Sequence, residues 1–210
     1  MEWLPLFPLQ LVVFPGERLK LHIFEPRYRQ LIADCEADAD PFGIPAYIDG
    51  KVAEYGTAVT LERIITRYED GELDIESCGL YPFRIIEYTR TMPNKLYAGG
   101  KVEFLDVAVD PRTPVPDELI ALYRRFHEII ETEDARDCFD ETNLSYLLAH
   151  EIGMPLEDKV KLLAIPEEPR RIKRILKHLR RAVPLLEAAA QSRKRVMGNG
   201  RVHTPDLLEL

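Results

Sequence analysis

Thr60-Leu61-Glu62-Arg63-Ile64-Ile65-Thr66-Arg67-Tyr68-Glu69-Asp70-Gly71-Glu72-Leu73-Asp74-Ile75-Glu76-Ser77-Cys78 is the stretch from which the fold is read. Two β-prone runs flank Asp70-Gly71, a pair that supplies the positive φ angles of a tight hairpin turn. After the turn, Leu73, Ile75 and Ser77 alternate with charged Asp74 and Glu76, the period of a strand with one buried face. Asp49-Gly50 repeats the turn signal upstream. Leu19, Leu21 and Ile23 alternate with Lys20 and His22, and Val102–Val109 reads as a further strand. Several strands joined by hairpins point to a closed or partly closed barrel, because closure removes exposed edges. One helix interrupts this part. Pro26 suits a first helical position, and Tyr28, Leu31, Ile32 and Cys35 then form one apolar stripe at helical spacing.

The pattern changes at Asp110-Pro111-Arg112-Thr113-Pro114-Val115-Pro116, where three prolines interrupt any ladder or helix. Four helices follow: Asp117–Glu133, Thr142–Ile152 closed by Gly153, Pro155–Leu163, and Pro169–Ala190 with Pro184 as a kink. The expected class is α+β. A β-rich pseudobarrel occupies residues 1–112, a helical bundle 113–196, and a loose tail 197–210, where Gly198, Gly200 and Pro205 fall.

The 210 residues carry a formal charge of −8, unevenly spread. Residues 166–195 hold ten Lys/Arg against three Glu, a surplus of +7, so the rest carries −15. An acidic chain is a poor general ligand for nucleic acid or anionic membrane. Cys35, Cys78 and Cys138 are widely spaced, odd in number and without a CxxC pair, which reads as reduced thiols. No apolar run reaches membrane-spanning length, and the Met1-Glu2-Trp3-Leu4-Pro5 start lacks the basic opening of a signal peptide. A cytoplasmic location is the expectation.

No cofactor, metal or catalytic residue is expected. A phosphate-binding loop needs glycine four residues ahead of Gly99-Gly100-Lys101 and a hydroxyl after it; Lys95 and Val102 stand there instead. A zinc-peptidase helix would need a second histidine where His150-Glu151-Ile152-Gly153 offers Met154. No nucleophile elbow surrounds Ser77, Ser145 or Ser192. Cys35 lies on an apolar helix stripe, where a buried, inert thiol is the ordinary outcome. A cryptic enzyme would require two or more of His22, Cys35, Cys78 and His150 to converge in a pocket.

Three stretches resemble the Lon protease N-terminal substrate-binding domain family. The first is Leu4-Pro5-Leu6-Phe7-Pro8-Leu9, Val13-Phe14-Pro15-Gly16, Leu19–Leu21 and His22-Ile23-Phe24-Glu25-Pro26-Arg27-Tyr28, with Phe42-Gly43-Ile44. The second is Gly56-Thr57, Asp70-Gly71 and Gly79-Leu80-Tyr81-Pro82-Phe83-Arg84-Ile85, with Pro82 where the family commonly has Arg. The third runs from Leu144 to Leu186 and includes Asp158-Lys159-Val160-Lys161-Leu162-Leu163-Ala164, with Lys159-Val160 where a Lys-Gln pair is common. The resemblance implies a PUA-like pseudobarrel and a helical bundle that recognise unfolded or extended polypeptide without catalysis. It further implies a protease or chaperone as the partner served, in the manner of an adaptor for a separate protease. A homodimer through exposed apolar strand surface is compatible with it.

Two sets of residues are candidates for binding. Phe7, Phe14, Phe24, Glu25, Arg27 and Tyr28 would line a groove for an extended peptide, gripped through backbone hydrogen bonds and apolar pockets. Against this, Glu25 suits a helix cap and Arg27 a pair with a carboxylate elsewhere, while Phe7, Phe14 and Tyr28 suit core positions. Arg170, Arg171, Arg174, Lys177 and Arg181 would form a basic patch on the last helix. That patch suits a solvated bundle face, and as an alternative function a nucleic-acid-binding PUA-like module. The acidic barrel argues against nucleic acid lying on it.

Overall fold

The computed structural model describes residues 2–107, 113–130 and 143–199, with side chains to residue 193. Strands β1 (Glu2–Leu6), β2 (Arg18–Ile23), β3 (Phe42–Ile48), β4 (Lys51–Arg67), β5 (Leu73–Thr89) and β6 (Ala98–Phe104) form one sheet, with α1 (Pro26–Asp38) inserted after β2. β1 pairs in parallel with β3 and antiparallel with β6; β6 pairs with β5, β5 with β4 and β4 with β3. Those five strands close a ring. β2 lies outside it, on the first half of β5, with Leu21 opposite Ile75. The helices are α2 (Asp117–Ile130), α3 (Leu144–Glu151), α4 (Leu156–Leu163) and α5 (Glu168–Asn199).

The two Asp-Gly pairs make different turns. Asp49-Gly50 is the two-residue hairpin, joining Ile48 directly to Lys51, and both residues have positive φ, 48° and 77°. This is the geometry that Asp-Gly favours between twisted strands. At Asp70-Gly71 the last pair is Arg67–Leu73, so the loop is longer, and only Gly71 has positive φ. β4 and β5 each run 17 residues, with three register shifts between them. Such bulges bend and twist a long strand pair, which lets it serve both the ring and the β2 extension.

Several expected bounds differ. The strand expected at Val102–Val109 occupies Ala98–Phe104. Gly99 and Gly100 are part of it because Met92 and Leu6 pack where their side chains would be, a close approach that only glycine permits. Proline begins α1 as expected, but Glu25 makes no side-chain cap bond; its carboxylate accepts from Arg27. The last helix runs to Asn199, through Pro184 and past the expected start of the tail at 197. Cys138, the ends of the expected segments at Val109, Glu133 and Thr142, Asp110–Arg112 of the junction, and 200–210 of the tail lie outside the described residues.

Three apolar clusters hold the molecule together. Leu4, Leu6, Ala58, Phe83, Ala98 and Val102 fill the ring. The stripe Tyr28, Leu31, Ile32 and Cys35 seals α1 onto Val13, Phe42, Ile44 and Ile75. The helical core gathers Leu119, Tyr123, Leu148, Ile175 and Leu179, and it also takes in Val12, Phe14 and Ala46 from the β part. Barrel and bundle therefore share a core.

One buried charge organises the bundle. The Arg171 guanidinium is fully buried, stacks 4.3 Å over the Tyr146 ring, and pairs with Glu168 at 2.6 Å. It also donates to Ser145 Oγ (2.9 Å), Asn143 Oδ1 (3.1 Å) and the Ile165 and Pro166 carbonyls (2.8 and 2.7 Å). Glu168 accepts from the Ser145 amide and hydroxyl. Removing one member of such a pair strands the other in low dielectric. Arg171→Ala is expected to cost about 3–5 kcal/mol of unfolding free energy in urea denaturation. A loss under about 1 kcal/mol, the size of a surface pair, would contradict this account.

Candidate functional site

β4 and β5 diverge at one end of the ring. Their ladder ends at the Tyr55–Arg84 pair. Beyond it β4 continues as Lys51–Glu54, where Lys51 and Val52 pair with β3 alone. β5 continues as Ile85–Thr89, paired with β6 alone across a bulge at Ile86. Between them lies an open cleft of about 960 Å³. The first turn of α1 supplies Arg27 and Tyr28, the β3–β4 hairpin supplies Tyr47 and Lys51–Glu54, and β5 supplies Ile85, Ile86 and Tyr88, followed by Arg90.

The walls mix aromatic and apolar side chains with charged ones, Arg27, Lys51, Glu54 and Arg90. Tyr47 and Tyr88 are 38% and 44% exposed and Ile86 is 40% exposed. Tyr28 is buried and stacked on Phe7, ring centroids 3.7 Å apart. Burial raises the Tyr28 phenol above its usual range, against the opposing pull of the Arg27 charge 4.5 Å over its ring. Arg27 is neutralised by Glu25 at 2.7 Å. Glu54, at the closed end of the cleft, is neutralised by Arg84 at 2.6 Å. Lys51 and Arg90 have no ion-pair partner among the described residues, so the cleft carries an uncompensated positive charge in an acidic protein.

Of the six groove residues expected from sequence, the cleft brings together Arg27 and Tyr28. Phe7 and Phe14 are 5% and 2% exposed and serve as core; Phe14 stacks on Tyr146 at 5.1 Å. Phe24 is 57% exposed but lies beside His22 and is no part of the cleft walls. Glu25 does not line the cleft; its carboxylate pairs with Arg27 and its carbonyl accepts from the Tyr28 amide. The basic patch is also thinned. Arg171 is a buried structural residue and not a surface one, because Glu168 and Ser145 hold it in the core. Arg170 pairs with Glu167 and Arg174 with Asp158. Lys177 and Arg181 remain, beside a shallow depression of about 310 Å³ that Leu185 and His178 also line.

Tyr47, Lys51, Ile86, Tyr88 and Arg90 were missed. The Asp49-Gly50 turn marks the hairpin that carries two of them, but no local pattern reveals which strands part.

The four candidates for a cryptic enzyme do not converge. Cys35 is buried in the α1 stripe, and burial, reinforced by Asp34, pushes its thiol up to about 12. Cys78 is half-buried and also raised, chiefly by burial. His150 lies 3.3 Å from Glu17. His22 lies at the β4–β5 hairpin, its Nδ1 2.8 Å from Asp74 and its Nε2 2.9 Å from Glu72. Among the described residues, no three His, Cys, Asp or Glu side chains come together as metal ligands. Nor is any helix long and apolar enough to cross a membrane.

With that geometry in hand, residues 3–181 match the model of the ATP-dependent protease La (LON) substrate-binding domain. A Lon protease of Anaeromyxobacter dehalogenans (strain 2CP-C) is 27% identical over 217 residues, 93% of this chain and 25% of that protein. The chain thus spans about a quarter of the length of that curated relative. A Lon N-terminal domain protein from Xanthomonas campestris superposes with a TM-score of 0.66 at 26% identity, covering 84% of this chain and 98% of the other. The N-terminal domain of the Mycobacterium avium complex Lon protease superposes with a TM-score of 0.57 at 15% identity, covering 86% and 99%. That last likeness is one of fold.

Two expectations follow from the titratable groups. The Cys35 thiol should resist iodoacetamide in the native protein at pH 8 and react at an ordinary rate once unfolded, read by mass spectrometry. Rapid native labelling would show that the thiol is accessible after all. The Asp74 hydrogen bond, with that of Glu72 adding and desolvation opposing, raises His22 above 6.5. The imidazolium is therefore the form the fold favours. Its contribution is complete below pH 6.5 and fades as pH rises through the folded-state value. Histidine NMR titration should place His22 above 6.5, and a value at or below that would remove the effect.

Proposed function

This chain belongs to the LON substrate-binding domain family, and from that premise we propose that it recognises unfolded or extended polypeptide in the cleft between α1, the β3–β4 hairpin and the end of β5. It does so as a non-catalytic recognition module working for a separate protease.

The observation that carries this reading is the cleft itself. It is open, with exposed Tyr47, Tyr88 and Ile86 carried on strands. Tyrosine contributes large contact area at small entropic cost and tolerates many side chains, which suits a binder with little sequence selectivity. A small-molecule site would instead enclose its ligand and converge several polar groups on it. The nucleic-acid alternative has less support, since Arg171 is buried and Arg170 and Arg174 are already paired with carboxylates.

Titrating the protein with a reduced and alkylated, permanently unfolded model protein tests the proposal. Saturable binding is expected, and Tyr47→Ala combined with Tyr88→Ala should weaken it by about tenfold or more, the loss typical of aromatic anchors. Absence of binding, or binding unchanged in the double variant, would refute it.

A further inference from the structure

We infer that the cleft receives its ligand as an inserted β-strand, and that this strand is an extended polypeptide segment bearing acidic side chains. The inference rests on the polypeptide-binding reading above and specifies how the segment is held and what it must carry.

The backbone supplies the first argument. A strand paired on one side still directs alternate amides and carbonyls to the other side. Lys51 and Val52 of β4 are paired with β3 and not with β5. Ile85–Thr89 of β5 is paired with β6 and not with β4. Had the β4–β5 ladder continued past Tyr55–Arg84, those two segments would have bonded to each other. Instead the cleft lies between them, and both line it. Two strand edges with no ladder partner among the described residues, both lining one cleft, match the requirements of an added strand, which would bond on both sides. At about 3.3 Å per residue, free edges of this length accommodate a segment of roughly four residues. A polynucleotide has no backbone that can complete such a ladder.

Charge supplies the second argument. Arg27 and Glu54 are already paired, with Glu25 and Arg84. Lys51, at the start of β4, and Arg90, just past the end of β5, remain without an ion-pair partner among the described residues, in a protein of net charge −8. An acidic segment laid between the strands would meet a cation on either side, while a basic one would meet only repulsion. Ile86 and Tyr88, on the end of β5 that leads to Arg90, line the same cleft and offer apolar contact.

The experiment uses fluorescein-labelled peptides of about ten residues, long enough to span the free edges, read by anisotropy against the full chain. One alternates Asp with Val and Tyr; a second replaces each Asp by Lys; a third is the Asp peptide N-methylated at alternate backbone positions. The Asp peptide should bind about tenfold or more tighter than the Lys peptide, and its advantage should shrink as salt rises. N-methylation, which deletes ladder donors but keeps the side chains, should weaken binding by about tenfold or more. Lys51→Glu with Arg90→Glu, two exposed changes whose folding circular dichroism verifies, should reverse the charge preference. Equal binding of Asp and Lys peptides, or indifference to N-methylation, overturns the inference. So does displacement of the Asp peptide by single-stranded RNA at equal strength, or self-association of the chain that blocks the cleft. If the unfolded protein binds and the Tyr47/Tyr88 variant loses it while the peptides show neither preference, this inference falls and the polypeptide reading stands. If the unfolded protein does not bind at all, both fall.

Discussion

The passage of residues 12–17 over Gly79 ties the barrel to the bundle. Val12 and Phe14 turn into the helical core, while Val13 between them turns into the core beneath α1. The segment is pinned by bonds from the Gly16 amide to the Gly79 carbonyl and from the Gly79 amide to the Glu17 carbonyl. Thr57 Oγ1 donates to the Val13 carbonyl from the neighbouring strand. A side chain at Gly79 would collide with the Phe14 carbonyl oxygen. Alternation along one short segment thus serves two cores at once, and the helices cannot dock unless the strand beneath it is bare.

The helical half depends on this docking for position, and a second network fixes its segments against each other. Within the bundle, the Arg171–Glu168–Ser145 network joins the start of α3, the loop before α5 and α5 itself. A buried ion pair is a weak source of net stability, because desolvation consumes most of the Coulomb gain. Its value here is geometric. The guanidinium donates in five directions to four other residues besides its carboxylate partner, so only one arrangement of those segments satisfies it.

Strand divergence gives the candidate site its rigidity. The two diverging strands are held on their outer sides by β3 and β6, so most of the cleft wall is regular structure. A site built on regular elements avoids part of the ordering cost of binding. The Arg84–Glu54 pair stands at the point of separation, and α1 is held against the same region by the Tyr28–Phe7 stack. Features that read as scaffold in the sequence, Pro26 to Tyr28, are therefore scaffold that also forms a wall.

Local rules were enough for much of this molecule. The alternation in Leu19–Ile23 and Leu73–Ser77, the Asp-Gly turns, the apolar stripe of α1 and the helical spacing after residue 117 determined the α+β class. They did so because period and turn chemistry depend on near neighbours alone. The ordered motifs from Leu4 to Tyr28 determined the family. What the tertiary structure decided was the fate of individual side chains. Phe7 and Phe14 carry the same apolar signature that an exposed Tyr88 or Ile86 carries, and only packing distinguishes them. Arg171 has the same charge as its neighbours and is buried because Ser145 and Asn143, from the start of α3, arrive to complete what its neighbour Glu168 on the same helix begins. The cleft was invisible for the same reason: a strand's second edge is free or paired according to which distant segment lies beside it, and no residue within the strand records that choice.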